Sequence, residues 1–206
     1  SKGHACPTQY AILADMGFFP REDLWSLRQI NSHLQGHPDM HKTPGIDAST
    51  GSLGQGVAVA GGIALAAKHQ GKNYHVYAIT GDGETQEGLV WEAAMSASHY
   101  KLDNLTVILD YNGLQIDGAV DSVMSLGDVA DRYRSFGFAC FDVDGHDMDA
   151  ITTALEAPVT GQPKFICCRT IKGKGVSFME NRVGWHGKPI DARSYEAAMQ
   201  ELGVTV

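Results

Sequence analysis

Apolar residues recur along the chain in two alternating rhythms. Short, nearly unbroken apolar runs such as "YHVYAIT" (74–80) and "LTVILDY" (105–111) read as strands buried on both faces, the pattern of a parallel sheet. Between them "ETQEGLVWEAAMSASHYKL" (84–102) keeps helical spacing, with Leu89, Ala93 and Ala97 on one face. Helices are predicted near 5–16, 21–34, 54–69, 86–99, 127–136, 147–157 and 191–202, and strands near 75–80, 105–110, 139–143 and 164–170. This alternation predicts an α/β fold: a three-layer domain with a mostly parallel sheet flanked by helices. The stretch from 75 to 110 then forms a strand–helix–strand unit, whose crossover is right-handed in nearly every known case.

Composition narrows the field. At 206 residues the chain fits one domain, taken as 1–206. A hydrophobic fraction of 43% against 19% charged residues supplies a core and excludes disorder. The formal net charge of −8 argues against nucleic acid or an anionic membrane surface as partner, leaving "KGKG" at 172–175 as the one local basic candidate. The longest apolar run, "GVAVAGGIALAA" at 56–67, falls short of the roughly 20 residues of a membrane span and reads as a closely packed buried helix. No signal peptide is visible. Cys6, Cys140, Cys167 and Cys168 lack metal-binding spacing, and strand neighbours 167 and 168 point to opposite faces, so reduced thiols in the cytoplasm are expected. Ser1 follows no initiating methionine and "SKGHA" reads as the middle of a motif, so a preceding N-terminal segment is expected, either removed or outside the given sequence, and the domain over 1–206 is read as N-terminally incomplete.

Candidate chemistry sits at two strand ends. "GDG" (81–83) closes the first strand of the unit, and "DYNGLQIDG" (110–118) closes the second. Ligands of open parallel sheets bind beyond the carboxyl ends of the strands, so Asp82 and Asn112 are expected on one rim. Asp and Asn offer hard oxygen donors, and an irregular backbone after Asn112 can add a carbonyl; that set suits Mg²⁺ or Ca²⁺. Gly81 and Gly83 permit close backbone approach, and a helix start just beyond them favours an anion. Together the two motifs read as a metal–diphosphate clamp. Glu84 beside them reads as a first-turn helix charge. The glycines at 51, 54 and 56 do not follow the dinucleotide pattern.

"GDGETQEG" followed thirty residues later by Asn112 resembles the thiamin-diphosphate motif. "SKGHA", "LQGHPD", "STGSLGQG", "YKLDNL", "DVDGHD", "KGKGVSFMEN" and "WHGKP" extend the resemblance, in order, to the N-terminal subunit of split transketolases. The resemblance implies thiamin diphosphate and Mg²⁺, with Ca²⁺ or Mn²⁺ as alternatives. It assigns metal ligation to Asp82, Asn112 and the Leu114 carbonyl. It places the Gly83 amide, His4 and His186 at the diphosphate, and Gly81 beside them. Gly51, Leu53 and Ile116 would line the cofactor rings, and His37 would touch the donor sugar near the reacting carbon. Glu87 would stand at a subunit interface where buried carboxylates share protons, and the resemblance counts it as catalytic with His37, His4 and His186, the last two also assisting proton transfer. The remaining histidines, at 33, 41, 69, 75, 99 and 146, are read as structural.

The activity implied is transfer of a two-carbon ketol unit from a ketose phosphate to an aldose phosphate. Nothing in the chain resembles the pyrimidine-binding domain that supplies the activating glutamate, nor the arginines that grip sugar phosphate. The resemblance therefore implies a separate C-terminal subunit, in an assembly with two copies of each. Two rival readings are a different thiamin-diphosphate enzyme, of 2-oxoacid dehydrogenase or deoxyxylulose-phosphate synthase type, and a non-catalytic module of the same fold.

Overall fold

The computed structural model describes residues 1–204. Four parallel strands form its sheet: β1 (Val76–Gly81), β2 (Leu105–Tyr111), β5 (Ala139–Asp144) and β6 (Lys164–Arg169), in the spatial order β1-β2-β6-β5. A two-residue antiparallel hairpin, β3 (Leu114–Gln115) with β4 (Gly118–Ala119), follows β2. The helices are α1 (Cys6–Asp15), α2 (Gln55–His69), α3 (Gly88–His99), α4 (Val120–Met124), α5 (Val129–Ser135), α6 (Met148–Glu156) and α7 (Ala192–Glu201).

Apolar runs become central strands for a physical reason: β2 and β6 are the two inner strands, and both of their faces must be dry. Val107, Leu109, Phe165 and Cys167 face one side, packing with Val57 and Ala64 of α2, Val90 and Ala94 of α3 and Tyr133 of α5. Ile166 and Cys168 face the other, with Ala154, Ile151 and Leu155 of α6. Adjacent Cys167 and Cys168 thus enter different layers, and all four cysteines are free. Each large side chain sealed this way contributes about 1.5–3 kcal/mol. Lys164 opens β6 from a buried position, and its ammonium donates to the carbonyls of Ala154, Leu155 and Ala157 at 2.6–2.9 Å, closing the C-terminus of α6.

Four details depart from expectation. The helix predicted over 21–34 is only a 3₁₀ turn at Arg21–Ser26. Leu27 is extended and Arg28 and Asn31 are left-handed, while Ser32 Oγ accepts the Leu34 amide, a local bond that competes with helix. β1 is covered on one face only: Ala78 is buried, whereas Tyr77 and Ile79 are 56% and 53% exposed. In α3 the buried stripe is Val90, Ala94 and Ala97, one position round from the predicted one at its start. In α2 alanines make the close packing, and Gly61 and Gly62 face open space.

Register decides what the rim can do. Gly81 pairs with Asp110 across β1 and β2, and Tyr111 with Arg169 across β2 and β6, so the strands end together at one edge. Among the described residues no helix is long and apolar enough to cross a membrane.

Candidate active site

Asp82 stands where β1 runs into the 3₁₀ turn Gly83–Gln86, and it is 3% exposed. Its Oδ1 accepts the Gly83 amide at 2.8 Å and its Oδ2 the Gly113 amide at 2.5 Å, so one carboxylate joins the tips of β1 and β2. Asn112 Oδ1 accepts the Leu114 amide at 3.0 Å, a local turn that feeds the β3–β4 hairpin. Burial pushes the Asp82 carboxyl above its ordinary range, and the Gly83 and Gly113 amides counter this only in part. Asp82 forms no ion pair among the described residues.

A cationic cluster lies on the same rim. Lys2 pairs with Asp110, which also accepts from Thr170 Oγ1 at the end of β6. Burial alone would raise Asp110, but the Lys2 charge, with hydrogen bonds from Lys2 and Thr170, leaves it below its ordinary value. Lys172 Nζ lies 3.4 Å from His186 Nδ1, and the rings of His186 and His4 stack with centroids 5.2 Å apart. Proton affinity is depressed at Lys172, His4 and His186. Burial is the first cause at Lys172, His4 and His186, and the neighbouring lysines add to it. Like charges held together in partial burial form a site that an anion relieves.

His37 is exposed, with its ring against Gly51. A Cβ at Gly51 would come within 3.0 Å of that ring, and its φ of +147° is one that side chains disfavour, so glycine is required there on both counts. Gly3 packs on the backbone of Gly51, which links the His4 segment to the His37 loop. Leu53 and Ile116 are exposed at 39% and 64%, and exposed Glu87 lies over Gly54. These three are not drawn into the charged cluster.

Several residues of the rim have places that the sequence motifs do not assign them. Glu84 is no surface helix charge: it is 2% exposed, accepts the amides of Gly54 at 2.7 Å and Gly81 at 3.2 Å, and is bonded by the Ser1 hydroxyl. It ties α2, β1 and the first residues together. Asp110, Thr170 and Lys2 likewise gain their places only from strand neighbours. Lys172 belongs to the "KGKG" basic candidate and is its inward member; Lys174 is exposed.

Residues present fit both parts of a metal–diphosphate group. A carboxylate oxygen keeps a lone pair after accepting one amide, so Asp82 can hold its backbone bonds and a cation together. Among the described residues no three His, Cys, Asp or Glu side chains converge on a metal position, so a cation here would rely on Asp82 with neutral amide and carbonyl oxygens. That donor set is one for a hard ion whose remaining ligands are water and phosphate.

An open parallel sheet with a buried carboxylate and a lysine–histidine cluster at its carboxyl rim defines an α/β domain of the kind that binds ligands beyond its strand ends. The chain belongs to the transketolase, thiamine diphosphate binding domain family, whose model matches residues 1–206. It is 43% identical over 204 residues to a 6-deoxy-6-sulfo-D-fructose transketolase subunit from a Clostridium species, covering 98% of this chain and 74% of the relative. It is 40% identical to an apulose-4-phosphate transketolase subunit of Actinobacillus succinogenes, with the same coverage. The crystal structure of Campylobacter jejuni transketolase superposes with a TM-score of 0.93 at 35% identity, covering 99% of this chain and 33% of that one. The chain therefore spans about three quarters of the split subunits and a third of the single-chain enzyme.

Proposed function

We propose that the chain, read as one diphosphate-binding domain over 1–206, is a subunit of a split transketolase that moves a two-carbon ketol unit from a ketose phosphate to an aldose phosphate. The observation that carries this reading is the juxtaposition on one rim of a buried Asp82, in no ion pair among the described residues, and a lysine–histidine cluster with more cationic side chains than its one paired carboxylate, Asp110. Subunit names of the relatives support the split arrangement.

Asp82, Asn112 Oδ1 and the Leu114 carbonyl would hold Mg²⁺, and Ca²⁺ or Mn²⁺ suits the same oxygens. The Gly83 amide, His4 and His186 would hold the diphosphate, with Lys2 and Lys172 adding charge and Gly81 giving room. Thiamin diphosphate, when bound, supplies the carbon nucleophile and electron sink that the protein lacks. Gly51, Leu53 and Ile116 would flank its rings and exclude water. His37 would orient the donor sugar's hydroxyls, and neutral imidazoles at His4 and His186 can accept or return a proton near pH 7. Glu87 would meet a second copy. The reading includes a pyrimidine-binding partner subunit in an assembly with two copies of each, and free thiols that suit the cytoplasm.

Assay of the chain with and without a pyrimidine-binding subunit, in thiamin diphosphate and Mg²⁺, tests this. Two-carbon transfer from a ketose phosphate only when both subunits are present is the expected result. Full turnover by the chain alone, or pyruvate consumed in place of the ketose phosphate, would overturn it.

A further inference from the structure

His146, in the turn that ends β5, is exposed and belongs to no part of the site described above. Yet its ring is engaged: Nε2 accepts the backbone amide of Ile171 at 2.8 Å, which places its proton, in the neutral ring, on Nδ1. β6 ends at Arg169, so the Ile171 amide has no sheet neighbour to bond. The residues on either side are pinned. Thr170 donates through its amide to the Tyr111 carbonyl at 2.9 Å and through its hydroxyl to Asp110 at 2.5 Å. The Lys172 carbonyl accepts the Asn181 amide at 2.9 Å. Gly145 lets the β5 turn close on this segment: its amide donates to the Arg169 carbonyl at 2.8 Å, and a Cβ there would lie 2.4 Å from the Thr170 methyl. The imidazole thus fills the gap between two fixed points, one residue before the lysine that faces His186.

We infer that His146 is a positioning residue, whose ring nitrogen holds the Ile171 amide and thereby aims Lys172 at the diphosphate position. This rests on the reading of the rim as a diphosphate site. The segment's other tethers hold Thr170 toward β2, Lys172 toward Asn181 in the following loop and Arg169 to Gly145 in the β5 turn; among the described residues His146 is the side chain that holds Ile171 from the β5 side. Because the ring is exposed, water can replace it, so its loss should loosen the segment rather than unfold the chain.

Calorimetric titration of Mg²⁺ and inorganic pyrophosphate into the purified chain tests the inference. His146→Ala should weaken pyrophosphate about fivefold, the effect of one ordinary hydrogen bond. His146→Gln, which presents an acceptor oxygen, should restore most of that loss. In a Lys172→Ala background the His146→Ala change should add nothing, since the two act through one group. Should His146→Ala not fold, His146→Lys against His146→Gln serves instead: the lysine offers no acceptor, and its Ile171 amide should exchange hydrogen faster and bind the anion less well. Wild-type affinity in His146→Ala, an undiminished loss in the Lys172→Ala background, or equal behaviour of the lysine and glutamine variants would overturn it. A wild-type chain that binds no pyrophosphate would remove the diphosphate reading first, and the inference with it.

Discussion

The rim has two halves built on opposite plans. At the tips of β1 and β2 a buried carboxylate is wrapped in backbone amides and pairs with no cationic side chain among the described residues. At the tip of β6 and the first residues, burial and neighbouring positive charge depress the proton affinity of Lys172, His4 and His186, while Lys2 pairs with Asp110. Each half carries charge that folding alone leaves unbalanced. A divalent ion answers the first half and an anion the second, which is why the two together suit a metal–diphosphate better than either suits a salt bridge.

The largest break in that symmetry comes from Asp82. Asp82→Ala should weaken Mg²⁺-dependent thiamin diphosphate binding by about a hundredfold or more, because one acidic ligand is the main charge on the metal side. Asp82→Asn should do nearly as much while keeping an acceptor for an amide. Calorimetry with and without Mg²⁺ distinguishes the two effects; an affinity unchanged in both variants would contradict the metal assignment.

Two lysines repeat the contrast on a smaller scale. Lys164 is buried with three carbonyl partners, whereas the Lys172 ammonium makes, among the described residues, one long contact, to His186. Lys164→Met should cost about 2–4 kcal/mol in chemical denaturation, since it strands helix-end carbonyls, and should leave pyrophosphate affinity alone. Lys172→Met should reverse the pattern, with affinity down roughly tenfold and stability unchanged. Equal stability losses in the two would erase the distinction between a structural and a ligand-facing lysine.

Acid should act with opposite sign on the free and the anion-bound chain. His4 and His186 titrate below the ordinary value of 6.5. From 6.5 downward the unfolded chain therefore binds more protons than the folded one, and stability falls as pH drops through that window. A diphosphate raises both histidines, so its binding should take up protons and tighten with acid, once protonation of pyrophosphate itself is allowed for. Thermal unfolding with and without pyrophosphate, between about pH 7.5 and about pH 5.5, checks the sign. The smallest effect is expected in the core. The Tyr133 hydroxyl is buried without a partner among the described residues, so Tyr133→Phe should be neutral or stabilising by about 1 kcal/mol at most in denaturation.

How far the sequence disclosed this arrangement depended on how local each cause was. The placement of Asp82 and Asn112 at neighbouring strand ends was legible because each follows its own apolar run, and a strand end with a glycine is a local signal. The four strands and six of the seven predicted helices were legible for the same reason. Resemblance, and not spacing, pointed to His4, His37 and His186. Glu84 was misread because what buries it is an amide at Gly54, thirty positions earlier. Thr170 meets Asp110 only because β6 inserts between β2 and β5, and Lys2 meets it because the first residues run along β1; chain sequence displays neither neighbour. His146 was hidden by the same insertion. The false helix over 21–34 had acceptable periodicity, and left-handed Arg28 and Asn31 defeated it.

Crystals of the chain with thiamin diphosphate and Mn²⁺, read by anomalous scattering, decide whether Asp82 and Asn112 share one ion. One metal peak is expected at about 2.0–2.3 Å from both Asp82 Oδ and Asn112 Oδ1, with the diphosphate on the Lys172–His186 side. A peak elsewhere, or a cofactor bound with Asn112 still turned to the Leu114 amide and no metal at Asp82, would contradict the shared grip.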